Sequence, residues 1–178
     1  RVWRYRDTTG VTLEVLVLLA LVLVNGVLAG AEIAIVSIRK TRVQELVDGG
    51  SAAAKAVQRL RQQPEGFLAT VQIGITVVGA TAAAFGGSNF AADLTPLLAQ
   101  VEFLAPQAHL VAMILVVGLI SFLSLVLGEL VPKSLALQYP TRTALLTVLP
   151  MRWSLRAFAW FIGRLNGSGT LILRLFGA

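Results

Sequence analysis

Between Glu65 and Asp93, and again between Glu102 and Glu129, the chain carries no Asp, Glu, Lys or Arg. Each run is longer than the roughly 20 apolar residues with which a helix crosses the hydrocarbon of a bilayer. A third run, from Glu14 to Glu32, is interrupted by Glu32 and stays apolar to Ile38. Only 13% of the 178 residues are charged and 56% are hydrophobic, whereas a soluble domain carries about 25% charged residues. In lipid, backbone donors and acceptors must be satisfied within the segment, which leaves helices or closed barrels. The continuous apolar runs select an all-α integral membrane protein.

Composition also removes several chemistries. There is no cysteine, hence no disulfide framework or thiolate site. The single histidine, His109, excludes the usual zinc clusters. A net charge of +6 reads as basic segments facing membrane headgroups, with the lipid bilayer as partner and no nucleic acid. The N-terminal run exceeds a signal-peptide core of about 7–15 residues, so it reads as a retained span.

Three spans are expected, at about 11–38, 66–85 and 109–132, within a membrane domain covering 1–150. Between the first two lies the polar stretch 39–64, with Arg39, Lys40, Arg42, Lys55, Arg59 and Arg61. Gly49-Gly50-Ser51 divides it, and apolar residues recur at helical spacing on both sides. It reads as a juxtamembrane helical hairpin on the cytoplasmic side. Gly86-Gly87-Ser88-Asn89 reads as the turn that ends span two, and Pro96 and Pro106 as breaks in the following loop. Residues 151–178 place Arg152 and Arg156 on one face among Trp and Phe, the pattern of an interfacial amphipathic helix; the alternative is a short fourth span. The loop at 39–63 is basic and the loop at 88–108 has no Lys or Arg. The positive-inside rule then puts the N-terminus outside and the C-terminus in the cytoplasm, in a multi-pass plasma (inner) membrane protein.

Ionisable groups within spans are costly and mark candidate sites. Glu32 and Glu129 qualify. Lys133 follows Glu129 by four residues, a spacing that suits an intrahelical ion pair. Pro132 intervenes, removing a backbone donor and freeing carbonyls near Gly128 and Glu129. The reading is then a carboxylate beside free carbonyl oxygens, a set that suits a hard cation, with Lys133 snorkelling to the cytoplasmic surface. Asn25 lies seven residues before Glu32, on the same face, and Ser37 five residues after it. Gln72, Thr76 and Gly79 share a face of span two, and Ser121, Ser124 and Gly128 one of span three. Each stripe also fits helix packing by small polar residues. An oxygen-only ligand set favours Mg²⁺, Ca²⁺ or Na⁺ over zinc or copper.

The stretches GAEIAIVSIRKTRVQEL, PEGFLATVQIGITVVGATAAAFGG and GELVPKSLAL resemble, in order and spacing, the transmembrane domain of the CNNM/CorC family of magnesium transporters. The resemblance covers roughly residues 12–150, and its most specific element is G-E-x-V-P-K. It implies three transmembrane helices, a juxtamembrane hairpin, a homodimer and Mg²⁺ export, Na⁺-coupled in some readings, with the ion bound among the spans. It carries Ser37 and Glu129 over as ligand positions and Glu32 as a ligand or helix organiser. Where one branch of the family has asparagines, this chain has Ile75 and Gly79; Gln72, Thr76 or a backbone carbonyl near Gly86 is then the span-two ligand. The family's cytosolic CBS-pair domain, which binds nucleotide, is expected to be missing from this chain.

The expected function is Mg²⁺ transport by alternating access, with Glu129, Ser37, Gln72, Thr76, Glu32, Asn25 and Gly86 as the candidate metal-site residues. No phosphate-binding loop is present, so ATP hydrolysis is not expected here. An intramembrane protease would need a serine motif with a histidine on a neighbouring span, or two intramembrane aspartates; the chain is not expected to be an enzyme. The remaining alternatives are a scaffold or Mg²⁺ sensor module, and a transporter of another cation.

Overall fold

The structure, a computed structural model, describes residues 8–62 and 64–151. These residues are helical with no strand among them: α1 (Thr8–Ser37), α2 (Lys40–Asp48), α3 (Ala52–Gln62), α4 (Pro64–Leu98), α5 (Ala108–Leu125), a π-helical turn (Val126–Leu130) and α6 (Val131–Gln138). A last helix, α7, begins at 140 and is described to 151. Three helical stretches are long and apolar enough to span a membrane, Gly10–Ser37, Gly66–Leu98 and Ala105–Gln138. The chain is an all-α membrane protein. The tail helix expected over 151–178 lies outside the described residues, apart from Met151.

The chain divides into two compact units, Arg1–Val27 with Thr76–Pro132, and Leu28–Ile75 with Lys133–Ala178. In the first unit the core is a cluster of Ala91, Ala112, Val116 and Ile120, against which Leu18, Phe90, Leu94 and Leu98 pack. Ala112, Val116 and Ile120 recur every four residues, one stripe of α5. The opposite stripe, with Leu110, Ile114 and Leu125, is exposed, as expected where lipid tails are the solvent.

Span two differs from its expected form. The helix does not turn at Gly86-Gly87-Ser88-Asn89 but continues to Leu98, and the loop shrinks to the residues between α4 and the short 3₁₀ turn Ala105–Gln107. The glycines serve close packing instead. A Cβ on Gly87 would lie 2.8 Å from Val117 Cγ2, and one on Gly86 would overlap Ile120 Cδ1. Ser88 Oγ and Asn89 Nδ2 donate back to the Phe85 carbonyl, at 3.0 and 2.8 Å, so both polar groups are satisfied without a chain reversal. Pro96 sits near the helix end, where little of the hydrogen-bond ladder remains to be lost. Near the loop between α4 and α5, Thr95 Oγ1 donates to Ala91 O at 2.6 Å, which uses its one proton. His109 Nδ1, 3.2 Å away, therefore acts as the donor to that hydroxyl oxygen.

In the second unit the lower half of α1 is buried on a helical stripe, with Leu28, Ala31, Ile35 and Ile38 all nearly inaccessible. A Cβ on Gly74 would come within 3.1 Å of Leu28 Cδ1, so α4 approaches α1 through a residue without a side chain. Helices α2 and α3 pack on each other, burying Val43, Ala54, Ala56 and Val57. Gly50 joins them with φ of +84°, a left-handed conformation that glycine adopts without strain. Ser51 N donates to Leu46 O and Gly50 N to Val47 O, closing the end of α2. Ser51 Oγ accepts from Ala54 N at 3.2 Å and caps α3. The Arg61 guanidinium donates to the Ile38 carbonyl and holds the hairpin to the end of α1.

We expect Gly86→Ala to destabilise the first unit by about 1–3 kcal/mol through overpacking. Ile120→Val, which deletes the overlapping Cδ1, should recover part of that loss. Thermal unfolding in detergent of G86A, I120V and G86A/I120V measures the coupling; simple additivity would refute the close approach.

Candidate functional site

The site is built on the third apolar helix at its one irregularity. In an α-helix the N–H of residue 132 would return to the carbonyl of Gly128; proline has none. The helix accommodates this with the π turn Val126–Leu130, in which Val131 N–H reaches Val126 O five residues back. Such turns often mark functional positions, because they leave backbone groups outside the regular ladder. Glu129 sits within this turn and is half-buried.

Asn25 completes the arrangement from α1. Its side chain is only 4% exposed, and Nδ2 donates to Gly128 O at 3.2 Å. Glycine gives the contact its room: a Cβ on Gly128 would sit 3.1 Å from Asn25 Nδ2 and 3.3 Å from Val22 O. Gly26, next to Asn25, similarly admits the Pro132 ring, with Cγ 3.1 Å from where its Cβ would be. A carbonyl can only accept, so the amide nitrogen must face Gly128 and Asn25 Oδ1 must face away. That oxygen is buried and has no hydrogen-bond partner among the described residues. A buried acceptor left in this state costs about 1–3 kcal/mol. Ser124 Oγ, one turn before Gly128, is also buried without a partner.

A carboxylate, an unpartnered amide oxygen, an unpartnered hydroxyl and a carbonyl-rich π turn thus occur within the first unit. All are hard oxygen ligands of the kind Mg²⁺ and Na⁺ take. Among the described residues no three His, Cys, Asp or Glu side chains cluster as a metal site, so neutral oxygens must supply most of any coordination.

The expected site residues fall into two groups. Asn25, Thr76, Gly86 and Glu129 belong to the first unit; Glu32, Ser37 and Gln72 belong to the second. Thr76, Gln72 and Ser37 are exposed, and Gly86 is buried in helix packing. In the sequence Ser124 is one oxygen of a stripe that also fits helix packing; its burial without a partner among the described residues is what singles it out. Glu14, which bounds an apolar run in the sequence, also lies inside α1 with a buried carboxylate oxygen.

Lys133 needs a correction. Its amine is not simply directed to surface water: Nζ lies 3.6 Å from Glu32 Oε2, with side chains 26% and 17% exposed. The distance is that of an ion pair without a tight hydrogen bond. Glu32 therefore has a cationic partner within the second unit, which favours the helix-organising role over the ligand role.

The sequence matches the CNNM family, Cyclin M transmembrane N-terminal domain, over residues 16–178. The chain belongs to the CNNM family. It is 41% identical to the UPF0053 protein sll0260 of Synechocystis sp. over 170 residues, 96% of this chain and 38% of that protein. It is 31% identical to the UPF0053 protein YrkA of Bacillus subtilis over 166 residues, 93% of this chain and 38% of that protein. It is 30% identical to the polyamine export protein of Haemophilus influenzae over 169 residues, 91% of this chain and 37% of that protein. The chain thus spans less than two fifths of the length of these curated relatives. In this CNNM domain the G-E-x-V-P-K element is the π turn with its proline: Gly128 receives Asn25, and Lys133 meets Glu32.

Breaking a part-buried pair from one side leaves the other charge without its partner, which costs more than the intact pair contributes. Lys133→Met should therefore lower the thermal midpoint in detergent, and Glu32→Gln/Lys133→Met should recover most of the loss. A double variant as unstable as the sum of its singles would contradict the pairing.

Proposed function

We propose that this chain is the membrane domain of a cation transporter whose intramembrane site takes Mg²⁺. The observation that carries the reading is the buried, unpartnered Oδ1 of Asn25 beside the π turn that bears Glu129. An apolar protein interior does not ordinarily hold an amide oxygen in that state. A transported cation gives it a partner for part of each cycle. Glu129 supplies the formal negative charge, and Asn25 Oδ1, the Ser124 hydroxyl and the carbonyls of the π turn replace water ligands. Family membership supports a role in membrane transport, since the Haemophilus relative is named as an exporter.

In this reading transport follows alternating access, and the ligand set must differ between the two states if binding is to drive the change. The π turn provides a way to change it. Reverting to α geometry removes one residue from the turn and re-aims Glu129 by about one residue, roughly 100°. That motion changes which oxygens can reach one ion together and so changes the affinity. Efflux coupled to inward Na⁺ movement supplies the energy, and the basic hairpin 39–64 faces the cytoplasm.

A second reading follows from the name of the Haemophilus relative, with a polyamine as cargo. An ammonium group pairs with Glu129 as well as a metal does, but it is a donor that an amide oxygen need not strip of water. The two readings separate in proteoliposomes containing the chain. We expect Mg²⁺ flux that saturates, falls by about 100-fold or more in Glu129→Gln if about 3 kcal/mol of ion binding is lost, and is insensitive to spermidine. Spermidine flux without Mg²⁺ flux would select the second reading, and Mg²⁺ flux unaffected by Glu129→Gln would remove the site.

A further inference from the structure

The second unit contains a cavity of about 400 Å³ lined by Ser37, Arg39, Thr41, Arg42, Glu45, Pro140 and Thr141. It lies where α1 ends at Ser37, where α2 begins at Lys40, and where α7 begins at 140, just after α6 ends at Gln138. Both of these ends belong to apolar membrane-spanning stretches, Gly10–Ser37 and Ala105–Gln138. The cavity is therefore at the depth where a span leaves hydrocarbon and meets headgroups.

Its lining is suited to an anion. Two guanidinium groups and one carboxylate leave a net charge of one positive. The carboxylate, Glu45, is held by Arg42 at 2.8 Å in an exposed i,i+3 pair. The Arg39 guanidinium makes no hydrogen bond or ion pair with the described residues, and its fork of N–H donors matches phosphate geometry. Ser37, Thr41 and Thr141 add three hydroxyls that can donate. Two helix starts add to the field. Arg39 is the N-cap of α2 and provides no side-chain cap, so the first-turn N–H groups are not closed by it. Pro140 occupies the first position of α7, after which Thr143 N returns to Tyr139 O. Helix N-termini favour negative charge.

We propose that this cavity binds a phosphate group, carried in the membrane by an anionic phospholipid headgroup. One phosphate here joins the end of α1, the start of α2 and the start of α7, and so fixes the segment that carries Ser37. A second cavity on the hairpin, of about 330 Å³ and lined by Lys40, Gln44, Gln58 and Arg61 among others, brings two cations but no hydroxyl, and Lys55 and Arg59 are exposed on α3. The proposal does not depend on which cation the first unit carries.

The test compares three forms of the chain in detergent: unaltered, R39Q/R42Q and K55Q/R59Q, the last removing the same charge outside the cavity. Native mass spectrometry measures retention of phosphatidylglycerol against phosphatidylcholine, and thermal unfolding measures the effect of inorganic phosphate. We expect phosphatidylglycerol affinity to fall about tenfold in R39Q/R42Q, as loss of a charge-assisted hydrogen bond would give, and to be retained in K55Q/R59Q. Should inorganic phosphate stabilise the unaltered chain but not R39Q/R42Q, while the two lipids bind alike, the cavity takes phosphate from a soluble source. Equal losses in both variants, or no difference of R39Q/R42Q from the unaltered chain with either probe, would overturn the site. All four substituted residues are exposed, so misfolding is not expected to confound the comparison.

Discussion

The hydrogen bond from Asn25 Nδ2 to Gly128 O organises the first unit's polar interior. Pro132 creates the need for it by withholding a donor from that carbonyl. Two glycines make it sterically attainable, since side chains at Gly26 and Gly128 would meet the Pro132 ring and Asn25 itself. Once the nitrogen is committed, the oxygen of the same amide must point elsewhere, and it finds no protein partner. A helix defect on one element thus leaves a buried acceptor without a partner on another. The chemistry of the site is a consequence of backbone accounting as much as of the acidic side chain beside it.

The two carboxylates that sequence reasoning placed together have separate fates. Glu32 stands opposite Lys133, 101 residues away in the chain, and serves the packing of the second unit. Glu129 remains on the π turn of the first unit. A scaffold would be free to replace both the ion pair and the irregular turn with regular apolar helix, often without loss of stability. Retaining them together with an unpartnered buried amide is more economically explained by a passing cation, which is the substance of the transport reading.

The apolar architecture was legible because charge-free runs of span length have few alternatives in lipid. The hairpin division at Gly49-Gly50-Ser51 was legible for the same local reason, a left-handed glycine followed by a serine cap. Span two's end was not. Gly86-Gly87 carries the signature of a turn, and only the positions of Ile120 and Val117 show that the missing side chains make room for a neighbouring helix. Pro132 signalled a disturbance near Gly128, but not that a π turn would absorb it or that Asn25 would answer it. The Lys133–Glu32 pair was hidden by a nearer candidate, Glu129, at ideal helical spacing. Burial without a partner, which distinguishes Asn25 Oδ1 and Ser124 Oγ, is a tertiary property with no local sequence signal.

The most direct test of the central claim is a structure of the chain determined with Mn²⁺ in place of Mg²⁺ and read by anomalous scattering. The account predicts a peak at coordination distance, about 2.1 Å, from Asn25 Oδ1, with Glu129 in the same coordination shell. An Asn25 amide oxygen satisfied by water or by a protein donor, with no metal peak in the first unit, would contradict it.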